Sequence, residues 1–128
     1  MANLNRKIIE WQQRIEPLRG KPLVTYHNNW PYFARRFRLN FAATIEARPG
    51  VAPSAAELSR ILNKMSAEDI KVIVRRPQEP TREVDYLAKK SKAKVAIMST
   101  SVGDDGSKNY IQMMDNNINH LLAAFNQN

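Results

Sequence analysis

Four short apolar runs, separated by amphipathic segments, set the pattern of this chain. They lie at residues 23–26, 41–45, 72–74 and 95–98. Short apolar runs bounded by polar, Gly or Pro residues predict buried strands. Because helical patterns alternate with these runs, the order predicts βαβ units. The predicted fold class is α/β, a three-layer α/β/α lobe with a four-stranded parallel sheet.

The first amphipathic segment, residues 5–18, precedes the first strand. Its apolar side chains recur at alternating spacings of four and three residues, which predicts a helix with a narrow apolar stripe. Pro17 and Gly20 mark its end. We expect the stripe to cover the sheet, another domain or a second copy of the chain. The stripe consists of Leu4, Ile8, Trp11, Ile15 and Leu18.

Capping signals predict where the next two helices begin. Asn28 or Asn29 can cap the second helix, and Pro31 suits its first turn. Ser54 is followed three residues later by Glu57, which together form the capping box of the third helix.

Two more helices are predicted in the second half of the chain. The fourth spans about residues 81–91, with Val84, Leu87 and Ala88 facing inward. Ser107 is the predicted cap of a long terminal helix. The predicted buried face of that helix consists of Tyr110, Ile111, Met114, Ile118, Leu121, Leu122 and Phe125.

The carboxyl ends of parallel strands share one edge of the sheet, because the crossovers are right-handed. Ligands bind at this edge in open α/β sheets. It should collect His27, which directly follows the first strand, and the loops at residues 46–53, 75–80 and 99–106. His27 is therefore the residue whose chemistry matters first.

The composition is that of a globular chain with an excess of basic residues. Its 128 residues are 43% hydrophobic and 25% charged, with a net charge of +8. We interpret the basic runs as solvated surfaces and do not expect a nucleic-acid partner, because no stacking aromatics interleave with them. The runs are Arg35, Arg36 and Arg38, then Arg75–Arg76, then Lys89, Lys90, Lys92 and Lys94.

Enzyme chemistry has little support in the sequence. The chain has no cysteine, two histidines and no nucleotide-binding or nucleophile-elbow motif. Gly103 and Gly106 precede a helix, but Asp104 and Asp105 between them would repel a phosphate. We predict that the chain is not an enzyme and has no catalytic or cofactor-binding residues.

A metal site is the remaining candidate chemistry, and the residues alone predict only part of one. A zinc site needs three or four ligands. His27, Glu46, Asp104 and Asp105 fall on the predicted ligand-binding edge, whereas His120 on the terminal helix should face water. These residues of one lobe would not enclose an ion.

Residues 7–103 resemble the C-terminal lobe of the metal-binding solute receptors of ABC importers, of the zinc and manganese uptake type. The matching pieces are IIEWQQRIEPLRGKPLVTYHNNWPYFARRF, TIEARPGVAPSAAEL and KVAIMSTSV, followed by the closing NYIQMMDNNINHLL. The resemblance implies two α/β lobes joined by a backbone helix. Residues 1–20 would then be the end of a connector-type helix, and residues 21–128 a single lobe.

The resemblance also implies a metal site that is incomplete here. His27 matches the ligand histidine at the end of the lobe's first strand, in the zinc-like form. Thr100 stands where the family usually has an aspartate ligand, and a neutral hydroxyl is a poor replacement. Arg75–Arg76 stands where the family often has an acidic residue. Two further histidines would come from an N-terminal lobe that these residues do not include. We expect weak binding of zinc or manganese.

Two functions follow as alternatives. The chain is the C-terminal lobe, or a truncated homologue, of a metal receptor with a divalent metal ion and an ABC transporter permease as partners. Alternatively, it is a degenerate lobe that binds protein or nucleic acid through its basic surface. We expect no signal peptide in this sequence. The expected compartment is periplasmic or cell-surface if the lobe belongs to a secreted receptor, and the sequence leaves a cytoplasmic location open.

The first helix adds an expectation about assembly. In a two-lobed receptor both lobes would cover its stripe, so one lobe alone leaves apolar surface free. Burying such side chains is worth about 1.5–3 kcal/mol each. The stripe therefore predicts a possible homodimer through the first helix, and light scattering of a Trp11→Glu variant would test it.

Overall fold

In the part of the chain that the structure describes, five helices and four strands form the lobe. The computed structural model describes residues 2–46, 48 and 50–126, with Ala2 described by its backbone alone. The helices are Ala2–Ile15 (α1), Pro31–Phe37 (α2), Ala55–Ala67 (α3), Arg82–Ser91 (α4) and Tyr110–Asn126 (α5). The strands are Pro22–Thr25 (β1), Asn40–Thr44 (β2), Val72–Arg75 (β3) and Lys94–Ile97 (β4), and a 3-10 turn, Glu16–Leu18, follows α1. Residues 47 and 49 of the predicted 46–53 loop, and residues 127–128, lie outside the described part.

The sheet confirms the predicted fold class. Its strand order is β2-β1-β3-β4, and every neighbouring pair is parallel. Successive side chains of a strand point to opposite faces. Leu23 and Val24 accordingly enter separate cores. The first core is formed with α1, α2 and α5, and the second with α3 and α4. The sheet is therefore the middle layer of three.

The apolar stripe of α1 packs on its own lobe. Trp11 and Ile15 are 1% and 0% exposed. The Trp11 indole also donates a hydrogen bond of 2.7 Å to the Asp115 carboxylate on α5. Leu4 and Ile8 pack against the same core and are only partly buried. The lobe thus covers much of the stripe itself, and the homodimer stays a prediction.

Two predicted helix caps were wrong. The N-cap of α2 is Trp30, without a side-chain cap bond, rather than Asn28 or Asn29. Pro31 does occupy the first turn, where its missing N–H costs nothing.

At α5 the hydroxyl of Ser107 is already engaged, because it accepts a hydrogen bond from the Gly103 N–H within the preceding loop. Asn109 takes the capping role instead, and its side-chain oxygen accepts from the Gln112 N–H. The predicted capping box of Ser54 and Glu57 is present at α3.

The buried face of α5 also differs from the predicted one. Tyr110 is 44% exposed, and Ile111, Leu122 and Phe125 are only partly buried. The residues that are buried are Met113, Met114, Asn117, Ile118, Leu121 and Ala124. Asn117 is buried because its side chain pairs with the backbone of Ser99 just beyond β4. Its oxygen accepts from the Ser99 N–H at 2.8 Å, and its nitrogen donates to the Ser99 carbonyl at 2.9 Å. This pair ties the loop after β4 to α5.

No helix among residues 2–46, 48 and 50–126 has the length and apolar character needed to cross a membrane.

Replacing Asn117 by Ala should destabilise the lobe strongly. The change leaves two buried backbone groups of Ser99 unpaired, and each such group costs about 1–3 kcal/mol. We expect urea unfolding to show a loss of about 2–4 kcal/mol. Asn119→Ala, on the exposed side of the same helix, should cost less than about 1 kcal/mol. Equal effects of the two changes would contradict the assigned role of Asn117.

Candidate metal site at the sheet edge

The turn after β1 is shaped by hydrogen bonds around His27. The buried Thr25 hydroxyl donates to the His27 carbonyl at 2.9 Å and accepts from the Trp30 indole at 3.1 Å. The Asn29 N–H donates to the same carbonyl at 2.9 Å. These bonds curl the chain immediately beyond the strand. His27 therefore lies at the carboxyl edge of the sheet, as the sequence predicts.

The pairing of β1 with β2 brings Glu46 to the same place. Backbone hydrogen bonds continue past both strands, and the Glu46 N–H donates to the Tyr26 carbonyl at 2.9 Å. The Tyr26 hydroxyl then donates to one oxygen of the Glu46 carboxylate at 2.8 Å. The Gly50 N–H donates to the other at 2.9 Å. The Glu46 carboxylate is therefore fixed by two hydrogen bonds in addition to its contact with His27.

The loop after β3 supplies a second carboxylate, Glu79, which is only 6% exposed. The Arg76 backbone N–H donates to Glu79 Oε1 at 2.6 Å, and the Arg76 Nε donates to Oε2 at 3.1 Å. A buried carboxylate is stable only when it is paired and hydrogen-bonded. Both conditions are met within four residues of chain.

The imidazole of His27 lies between these two carboxylates. Its Nδ1 is 2.7 Å from Glu79 Oε2, and its Nε2 is 3.0 Å from Glu46 Oε1. Two carboxylates can both act as acceptors only if each ring nitrogen carries a proton, so the arrangement favours the imidazolium form. Each of these hydrogen bonds is charge-assisted.

The pKa directions agree with this arrangement. Burial acts to lower the pKa of His27, but the hydrogen bonds to Glu46 and Glu79 outweigh it and leave that pKa raised. The hydrogen bond from His27, followed by the one from Tyr26, lowers the pKa of Glu46. Burial and the bond to Glu46 raise the pKa of Tyr26 far above its ordinary range. Histidine and carboxylate thus stabilise each other's charged forms.

Arg76 and Thr100, two positions at which this sequence departs from the family pattern, are in contact. The Arg76 Nη1 donates to the Thr100 hydroxyl at 3.3 Å, which connects the loops after β3 and β4. Thr100 therefore accepts a bond from a neighbouring cation. Arg75 turns elsewhere, because its Nη1 donates to the Arg76 carbonyl at 3.1 Å. The Arg76 side chain stays on the site and is 22% exposed.

The remaining candidates make other contacts. The Asp105 carboxylate accepts from the Ser107 N–H within its own loop and from the Asn116 side chain on α5, and Asp104 is exposed. His120 is exposed, with its Nδ1 2.7 Å from the Ile97 carbonyl. Among the described residues, no three His, Cys, Asp or Glu side chains converge so as to hold a metal ion.

Glu79 is the site residue that the sequence reasoning missed. The sequence predicts the 75–80 loop at this edge, but only Arg75–Arg76 at its start stands out by its charge and by the resemblance. Glu79 lies four residues beyond the end of β3 and follows no strand directly. Its position in a loop at the ligand-binding edge was the one available signal. The turn in which the Glu79 N–H donates to the Arg76 carbonyl returns it to His27.

Comparisons with known proteins agree with the fold. The family model described as "Zinc-uptake complex component A periplasmic" matches residues 1–124. The chain belongs to this family. The resemblance noted in the sequence is thereby confirmed. Because the family is one of uptake components, the prediction that the chain is not an enzyme is confirmed as well.

Individual relatives are longer than this chain. The high-affinity zinc uptake system protein ZnuA of Haemophilus ducreyi is 30% identical over 94 residues, which cover 73% of this chain and 30% of the relative. A crystal structure of ZnuA has a TM-score of 0.77 at 23% identity and covers 97% of this chain and 45% of its own. The solute-binding protein FpvC of Pseudomonas aeruginosa in complex with Mn2+ has a TM-score of 0.74 at 21% identity. The match covers 98% of this chain and 48% of the FpvC chain. The chain spans about a third of this curated relative and about half of these solved chains.

The arrangement of His27 predicts how stability changes with pH. The pKa of His27 is higher in the folded state than its ordinary value of 6.5. Its ion pairs therefore add to the free energy of unfolding fully below pH 6.5, and this contribution is lost as the pH rises through the folded-state pKa. The lowered pKa of Glu46 adds a contribution present above 4.5 and lost on acidification.

The stability difference between wild type and His27→Gln should therefore be larger near pH 6 than near pH 9. Urea unfolding at both pH values measures it. A difference that does not change with pH, or that grows at alkaline pH, would contradict the ion pairs of His27.

Proposed function

We propose that this chain is the C-terminal lobe of a metal-ion receptor for an ABC importer, or a truncated homologue of one, of the zinc-uptake type. Residues 1–20 serve as the end of a connector-type helix, and residues 21–128 as the lobe. The proposal is supported by the family match and by one observation above the others. His27 stands at the carboxyl end of β1, at the edge where α/β lobes bind ligands.

The metal affinity of the lobe by itself is proposed to be weak. A metal takes the lone pair of a neutral imidazole nitrogen. Both ring nitrogens of His27 are within hydrogen-bond distance of carboxylates, so binding must first break one of these pairs. Thr100, at the family's usual aspartate position, offers a hydroxyl that already accepts from Arg76. His27 is the ligand that this lobe would contribute to a zinc or manganese site.

The partners follow from the same proposal. The lobe would bind a divalent metal ion and act with an ABC transporter permease. It would work in the periplasm, the compartment named in the family description, or at the cell surface. We also propose a homodimer that forms through α1. The comparisons offer no support for the alternative interaction module, and no contact among the described residues favours it.

Calorimetric titration with zinc tests the role of His27. We expect the wild-type lobe to bind zinc with a dissociation constant above about 1 μM. His27→Ala should weaken this binding by at least about tenfold, because it removes the imidazole ligand. His120→Ala is the matched control, since it removes the other histidine of the chain and should leave the affinity unchanged.

A dissociation constant well below 1 μM would contradict the expectation of a weak site. Equal losses in the two histidine variants would contradict the assignment of His27 as the ligand.

A further inference from the structure

The sheet edge includes a cation that the protein itself supplies. Glu46 and Glu79 are the two carboxylates beside His27, and the Arg76 Nε donates to Glu79 at 3.1 Å. A divalent ion that entered this group would meet a carboxylate that already has a cationic partner.

Arg76 is the member of the group that spans the site. Its backbone N–H and its Nε hold Glu79, the carboxylate that also contacts His27 Nδ1. Its Nη1 reaches across to the Thr100 hydroxyl in the loop after β4. The guanidinium therefore lies between Glu79, which contacts His27, and Thr100. Its planar fork suits such a bridge better than a lysine would.

We infer that Arg76 is a built-in cation that weakens the binding of divalent metal ions at the His27 site. The inference rests on the proposed function, because it assumes that His27 is where a metal would bind. The physical reason is the repulsion between the fixed guanidinium and an incoming dication at short range. A second reason is desolvation: displacing Arg76 from the 3%-exposed Glu79 side chain leaves that carboxylate with one cation fewer.

The neighbouring Arg75 makes a stringent control. It carries the same charge on the adjacent residue, but its guanidinium turns to the Arg76 carbonyl. A variant of Arg75 therefore changes the net charge of the loop without removing the cation that contacts Glu79 and Thr100. The Arg76→Gln change, in turn, keeps the backbone N–H that holds Glu79 in place.

Zinc titration of the chain by calorimetry tests the inference. Arg76→Gln should tighten zinc binding by at least about tenfold relative to wild type. Arg75→Gln should change it by less than about threefold, because that charge does not contact the site carboxylates. Arg76→Met, which also removes the charge, serves as a second variant if the Gln substitution disturbs folding, and should show the same gain. The double variant His27→Ala/Arg76→Gln should lose the gain.

Three results would overturn the inference. One is an unchanged affinity in both Arg76 variants. Another is an equal gain in Arg75→Gln, which would mean that net charge alone matters. The third is a gain that persists without His27. If His27→Ala weakens wild-type binding while the Arg76 variants match wild type, the inference fails and the proposed function stands. If His27→Ala has no effect in any background, both fail.

Discussion

The imidazole of His27, held between Glu46 and Glu79, is the interaction on which the sheet edge depends. It links the segment after β1 to the loops after β2 and β3, at 3.0 Å and 2.7 Å. Each carboxylate has further hydrogen bonds: Glu46 accepts from Tyr26 after β1 and from Gly50 in its own loop, and Glu79 accepts from Arg76. The edge is therefore organised by charge, whereas the two cores beneath it are apolar.

This arrangement is the physical basis for the weak metal affinity proposed for the lobe. A metal that binds His27 needs a ring nitrogen with a free lone pair and further ligands that converge on the same point. Here the two carboxylates sit on opposite nitrogens of one ring, so they do not face a common point beside it. Arg76 and Thr100 complete the contacts with a cation and a hydroxyl. The site is filled by the protein's own charges.

Much of the fold was predictable because its signals are local. Alternating apolar runs predicted the four parallel strands, and the spacing of Ser54 and Glu57 predicted the start of α3. The position of His27 followed from the end of β1 and the handedness of the crossovers. The wrong assignments have two different causes. Ser107 bonds within its own loop instead of capping α5, whereas Asn117 is buried because of a tertiary contact with Ser99.

The partners of His27 were only partly predictable. Glu46 follows β2 closely, so it could be placed at the edge and was considered as a possible ligand. Glu79 lies four residues past β3, and its approach to His27 depends on the turn that begins at Arg76. No spacing rule describes such a turn. The sequence could predict the edge and the histidine, but not that the loops would close on it.

The most direct test of this account is the protonation state of His27. Long-range proton–nitrogen correlation spectra of the histidine side chains, recorded across a pH titration, report both ring nitrogens separately. The account predicts a midpoint for His27 above the ordinary value of 6.5, with both nitrogens protonated below it. A midpoint below 6.5, or one ring nitrogen without a proton at pH 6, would contradict the claim that two carboxylates hold an imidazolium.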